Sequence, residues 1–236
     1  MAPELSPGRI ERLALDDLFP RYECTYPYYS PTRDILAVKH RFQLLDMVTG
    51  KAPRDDRDTK TFSVQHRVEN GWAYGIGPYA SVAIYGLPTA IKAKARGRTI
   101  YYPEGEKDAR NMKECWDVCA VAHYQGGNPT TPEQAELLAG SSSRIVLVRD
   151  VDLVGAFVAW ENARALLKAG QPADLICFAR PALDIAKADV SDHIEAGLDK
   201  EDLIYETPLE VARLRDEYVA RVRKSGRRRS MGSEGR

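Results

Sequence analysis

Three carboxylates stand where extended apolar runs of the chain end. Glu104 follows TIYYP (99–103), and Asp150 and Asp152 follow RIVLV (144–148). Two residues apart on an extended chain, Asp150 and Asp152 point the same way. Glu104 joins them if the two runs are neighbouring strands. Three converging carboxylates with no nearby histidine or thiol suit a hard, oxygen-preferring cation, Mg²⁺ or Mn²⁺. Without a cation they repel one another. Gly105, Gly126, Gly127 and Gly155 accompany them, and glycine permits close backbone approach beside a site. The plainer reading makes the acids helix caps, with Asp152 opening a helix at Leu153 and Glu104 at another helix N-terminus. It accounts for each acid singly better than for the three together.

Positioning such a set takes alternating strands and helices. Strands are predicted at 99–103, 119–124, 144–148 and 174–178, and helices at 87–95, 107–118, 132–138, 153–169 and 190–196. This alternation suits parallel strands joined by crossovers, and ligands bind such sheets beyond the strands' carboxyl ends. The front of the chain reads differently. Residues 22–29 are tyrosine-rich, 31–34 form a turn, and 35–42 a strand. Phe62 to Val68 alternates as a half-buried strand, and Trp72 to Tyr74 returns after a turn at 69–71. Leu13, Leu15, Leu18 and Phe19 suggest a short N-terminal helix stopped by Pro20. The expected organisation is an N-terminal extension (1–23), a small α+β subdomain (24–98), an α/β domain with a mostly parallel sheet flanked by helices (99–207), a helix (208–224) and a disordered basic tail (225–236).

The 236 residues carry 34 basic and 34 acidic side chains, but unevenly. Residues 33–98 hold twelve Lys/Arg against six Asp/Glu, and residues 99–212 hold ten against twenty. A basic front suits nucleic-acid phosphates, and an acidic second half suits a cation. Six basic side chains between Arg221 and Arg229 would add salt-sensitive affinity for DNA. No apolar run approaches a membrane span, the start lacks the pattern of a secretion signal, and four scattered cysteines build no disulfide scaffold. A reducing cytoplasm is expected. Cys24 stands alone, Cys115 and Cys119 lack a second pair, and the four histidines have no zinc-ligand spacing. No phosphate loop of a fused helicase is present in the sequence.

The stretch YYPEGEKDA (101–109) resembles the first motif of the toprim domain, shared by primases, topoisomerases and some nucleases. RIVLVRDVDLVG (144–155) resembles its second motif. AHYQGGN (122–128) is similar to the glycine-bearing segment between them. KADVSDHIEAG (187–197) and the lead-in AIYGLPTAIKAKARGRTI (83–100) resemble the phage and plasmid DNA-primase branch of this bacterial-type family. The resemblance covers residues 83–197 well and 24–82 loosely. Arg149 departs from it, standing where a proline or small apolar residue is frequent, and so does Val154.

The resemblance implies a primase-type nucleotidyltransferase, a DNA-directed RNA polymerase acting in DNA replication and making short RNA primers on single-stranded DNA from nucleoside triphosphates. It assigns Glu104 to acid/base work or completion of the metal site, and Asp150 and Asp152 to Mg²⁺ or Mn²⁺, with Asp108 as a further acid. Asp108 lies at i+4 from Glu104, a spacing that lets both face one cleft. Asp189 and Asp192 are outer acids or, for Asp192, a helix cap. In relatives the N-terminal subdomain helps to hold the template. Arg41, Lys60, Arg67, Lys92, Lys94, Arg96 and Lys107 are the nucleic-acid-binding candidates here, and Trp72, Tyr74 and Tyr79 either stack on bases or fill a core. A replicative helicase or a separate zinc-binding module is the expected partner. The alternatives are a toprim-type metal-dependent nuclease and a non-catalytic single-stranded nucleic-acid-binding subunit. No cofactor other than the metal is implied.

Overall fold

The computed structural model describes residues 18–52 and 60–233, with 226–233 as backbone only. The chain divides into two compact units, Met1–Tyr85 and Gly86–Arg236.

The first unit is an antiparallel sheet. Strands β1 (Leu18–Tyr29), β2 (Ile35–Asp46), β3 (Lys60–Val68), β4 (Gly71–Tyr74) and β5 (Ile84–Tyr85) lie in the order β4-β3-β2-β1-β5. The β1–β2 and β3–β4 hairpins fall where alternation and turn residues put them. The start of β1 corrects the expected helix. Leu18 and Phe19 are extended and pair with Asp46 and Leu45 of β2. Burial decides it, because Leu18 packs with Phe42 and Leu44 on one face of the sheet. Pro20 is tolerated because β5 meets β1 only at Tyr28, so that around Pro20 the strand is paired with β2 alone among the described residues. The rest of the predicted helix lies outside the described residues.

The second unit holds a sheet in the order β11-β10-β9-β6-β7. Its strands are β6 (Ile100–Pro103), β7 (Cys119–Ala120), β9 (Ile145–Val148), β10 (Ile176–Arg180) and β11 (Ile204–Glu206), while β8 (Ala122–His123) lies outside it. Strands β10, β9, β6 and β7 are parallel, and β11 closes the edge antiparallel to β10. The sequence reading missed β11 and joined β7 to β8. The chain breaks at Val121, whose N–H donates to the Tyr101 carbonyl.

The helices are α1 (Leu87–Lys94), α2 (Glu106–Trp116), α3 (Pro132–Leu138), α4 (Leu153–Lys168), α5 (Val190–Glu195) and α6 (Pro208–Ser233). Helix α3 starts at a capping box between Thr131 and Gln134 with Pro132 in its first turn. The backbone of helix α6 runs from Pro208 to Ser233, into the segment expected as a tail. Among the described residues no helix is long and apolar enough to cross a membrane.

The core explains why β6 and β9 are central. Both are buried along their whole length, as parallel strands covered on both faces must be. Ile100, Met112, Leu138, Ile145 and Leu166 are fully enclosed. Leu147, on β9, is 1% exposed. Leu147→Ala is expected to cost about 2–5 kcal/mol, measured by urea unfolding, and a loss under about 1 kcal/mol would contradict this account of the core.

Candidate active site

Strands β6 and β9 are hydrogen-bonded in parallel, with Pro103 beside Val148. Each therefore delivers its next residues to the same carboxyl edge of the sheet. Glu104 leaves β6 one residue before Gly105, the N-cap of α2. Arg149, Asp150, Val151 and Asp152 leave β9, and Asp152 is the N-cap of α4.

The site is tightly built around Glu104. Its Oε1 accepts from the Asp150 N–H at 3.4 Å. Gly155, in the first turn of α4, is required sterically. A Cβ there would come within 2.6 Å of Glu104 Oε1 and 2.8 Å of the Asp150 carbonyl. The double glycine after β8 also borders Glu104. An added Cβ on Gly127 would sit 3.9 Å from Glu104 Oε2, and both Gly126 and Gly127 have positive φ. Asp108, in the first turn of α2, is buried and accepts from the Ser191 hydroxyl of α5, which in turn accepts from Asn111 at 2.9 Å.

Burial is the largest influence on these acids, and their mutual repulsion adds to it. Together they push Glu104 up to about 7, although the Asp150 N–H opposes the rise. Asp150 is pushed up to about 9, by burial first and then by Glu104 and Asp108. Asp108 is pushed up to about 6 by burial and Asp189. Asp152 adds its charge to this field but spends Oδ1 on the Gly155 N–H at 2.7 Å. The helix-cap reading of Asp152 therefore describes what that oxygen does. Asp189 and Asp192 likewise form the capping box of α5.

Among the described residues, no group of three or more His, Cys, Asp and Glu stands as a ready metal-binding set. The donor chemistry nevertheless fits a hard divalent cation. The acids are oxygen donors only, they crowd one sheet edge, and Glu104 and Asp150 resist ionising because of burial and the neighbouring carboxylates.

Arg149 is the residue whose role the sequence concealed. It is 5% exposed and forms a two-pronged ion pair with Glu206 on β11, at 2.6 and 2.7 Å. Its remaining nitrogen donates to the carbonyls of Asp150, at 2.8 Å, and Asp152, at 3.3 Å. Backbone hydrogen bonds join Val151 to Lys187 and Ala188. The acidic turn is thus held from one side by Arg149 and from the other by residues 187–188.

The basic candidates are dispersed. In the first unit, Arg41 pairs with Glu23 at 2.6 Å and lies near the Phe62 ring, and Arg67 lies over the Trp72 ring. Lys60 starts β3 and is exposed. Trp72 and Tyr74 are exposed, and Tyr79 is half-buried with its hydroxyl toward the Arg67 carbonyl. In the second unit, Lys107 reaches Glu195 at 4.0 Å. Lys94 is not a surface cation. Its ammonium donates to the Leu137 carbonyl at 2.9 Å, and burial lowers its pKa. Lys92 and Arg96 are exposed on the other side of α1.

No family model matches the chain, and no curated protein matches it. Solved structures do. The chain is similar to the structure of the DnaG catalytic core, at 15% identity and a TM-score of 0.50, over 85% of this chain and 61% of that one. It is equally similar to a DnaG primase catalytic domain bound to single-stranded DNA, at 15% identity and a TM-score of 0.50, over 83% and 59%. The fold is thus the mixed α/β fold of bacterial primase catalytic cores. The chain spans about three fifths of the length of these structures.

Two outcomes follow from this geometry. In EDTA, native Glu104, Asp108 and Asp150 hold protons more tightly than the unfolded chain does, so each contributes stability that is full below about pH 4 and is lost as pH rises through its folded pKa. Urea unfolding is expected to show stability falling between about pH 4 and pH 9, with Asp150→Asn removing the upper part of the fall. A flat wild-type profile would contradict the clustering. Separately, Arg149→Met is expected to cost about 3 kcal/mol, because it leaves Glu206 only the longer contact to Arg180 at 3.8 Å, and Arg149→Met/Glu206→Met to recover most of it. Equal losses in the single and double variants would show that the pair is not coupled.

Proposed function

We propose that this chain is a primase-type catalytic subunit that makes short RNA primers on single-stranded DNA by metal-dependent nucleotidyl transfer. One observation carries the reading. Four acids gather at the carboxyl edge of the parallel sheet, in a fold shared with primase catalytic cores. Asp150 and Asp152 would hold Mg²⁺ or Mn²⁺, with Asp108 beside them. The cation supplies charge neutralisation for the transferring phosphoryl group.

The chain's own residues do the rest. Glu104, at about 7, is poised to take the proton of an attacking 3′-hydroxyl near neutral pH. The backbone N–H of Asp150 orients that carboxylate through Oε1. Arg149 fixes the turn that carries Asp150 and Asp152. The basic residues Arg41, Lys60 and Arg67 of the first unit suit the phosphates of a template strand, with Trp72 and Tyr74 available for base stacking. A replicative helicase or a separate zinc-binding module fits as partner, and the cytoplasm as location. The phage and plasmid branch is the one its motifs resemble.

A second reading draws on Asp152. Because its Oδ1 caps α4, a subunit that binds single-stranded DNA without catalysis, or a toprim-type nuclease with a different cation geometry, uses the same fold. The test is purified full-length chain with single-stranded DNA, labelled nucleoside triphosphates and Mg²⁺ or Mn²⁺, scored for both synthesis and cleavage, alone and with a helicase or zinc-module partner. Primers should form, and Glu104→Gln should cut their rate by about 100-fold or more while leaving template binding unchanged. Cleavage without synthesis would place the chain with the nucleases, and tight DNA binding with neither activity would leave the binding subunit.

A further inference from the structure

The second unit carries a concentration of positive charge at the end of its sheet opposite the acids. Lys92, Arg96, Arg98 and Lys113 line a cavity of about 460 Å³. Its wall includes Thr99, just before β6, and Val118 and Cys119, where β7 begins. A strand rises about 3.3 Å per residue, so the five steps from Thr99 to Glu104 span about 16 Å. A ligand seated here does not reach the acids.

The four cations lack partners. Among the described residues, none of them has a carboxylate within ion-pair distance. Elsewhere in the unit Arg110, Arg149, Arg164, Arg215 and Arg221 each hold one, so what marks this site is four unpaired cations around one cavity. Lys200, also in the wall, is already engaged by Glu201 at 3.1 Å. Among the described residues, Asp117 is the one acid in the lining. Helices α1 and α2 both end here, and each C-terminus contributes about half a negative charge. That field and Asp117 offset only part of four cations, so the cavity stays positive.

The arrangement is also fixed in advance. Lys92, in the last turn of α1, and Arg96, in the turn that follows it, both line the cavity, while Lys94 turns away to the Leu137 carbonyl. Gly97, at φ +61°, closes the helix, with its N–H on the Lys94 carbonyl and the Arg98 N–H on that of Ala93. Arg96 and Arg98 therefore flank a defined turn. Arginine forks suit phosphate oxygens in pairs, and the lysines add point charge.

We propose that this cavity is a phosphate-binding site, taking the phosphates of a free nucleotide or of a nucleic-acid strand. It does not depend on the catalytic reading, because anion binding here needs neither the acids nor a metal. The test uses the full chain in EDTA, which prevents cation-mediated binding at the acids. Calorimetry would be run with sodium triphosphate and ATP, and fluorescence anisotropy with a labelled oligothymidylate across a salt series. Arg98→Gln/Lys113→Gln keeps two exposed polar side chains and removes two unpaired charges, so the melting temperature should hold. Arg164→Gln, a paired arginine elsewhere, is the control.

The double variant is expected to weaken binding at least tenfold, with the control within twofold. If the strand is the ligand, the salt slope should fall by about 1.4, at about 0.7 per lost phosphate contact on single strands. Loss confined to triphosphate and ATP assigns the site to free nucleotides. Loss confined to the oligonucleotide assigns it to a strand. Unchanged binding of all three probes in the double variant, or no binding of any by the wild type, overturns the proposal.

Discussion

Like charge crowded into a partly buried sheet edge is the constraint on which the rest of the second unit depends. Glu104 and Asp150 resist ionisation because of burial and the neighbouring acids' charge, and Asp108 because of burial and Asp189. Left to itself, such a cluster would push the loops after β6 and β9 apart. The structure opposes this with groups that cannot move independently. Glu104 rests against the backbone of Asp150 and the bare Cα of Gly155, Asp108 is tied to Ser191, and Asp152 is tied to the first turn of α4. Arg149 and Glu206 are nearly dry, and they anchor the acidic turn to the edge strand β11. A buried ion pair of this kind contributes little net stability against apolar replacements, but breaking it is costly. Its value here is positional.

Charge is also segregated along the sheet. The carboxyl ends of β6 and β9 deliver acids to helix N-termini, where the helix dipole favours them. The amino ends of β6 and β7 border the cations of α1 and the last turn of α2, again the sign the dipole prefers. At the acidic end the charge exceeds what a dipole needs and is buried. At the basic end it is exposed and, among the described residues, has no ion-paired carboxylate. Both excesses point outward from stability toward ligands of opposite sign.

Much of this was legible in the sequence because it is written in local pattern. The apolar runs at 99–103 and 144–148 became β6 and β9, and their neighbouring, parallel pairing put Glu104 beside Asp150 as read. The helix expected over 132–138 is α3 to the residue. What escaped was set by contacts distant in sequence. Leu18 and Phe19 sit in a leucine-rich run that reads as helical, but pairing with β2 made them strand. Arg149 read only as a departure from a motif, because its partner Glu206 lies 57 residues away on a strand of three residues. Lys94 looked like its basic neighbours until the Leu137 carbonyl, 43 residues on, showed which way it turns. Lys113 and Arg98 join Lys92 and Arg96 only once α1 and α2 both pack against β7.

The central claim is that these acids form one electrostatic unit that a hard divalent cation completes. Its most direct measurement is electron paramagnetic resonance of Mn²⁺ titrated into the metal-free chain. The account predicts saturable binding by the wild type, lost in Asp150→Asn although that variant stays folded. Mn²⁺ bound equally by both proteins would contradict it, and so would a wild type that binds none.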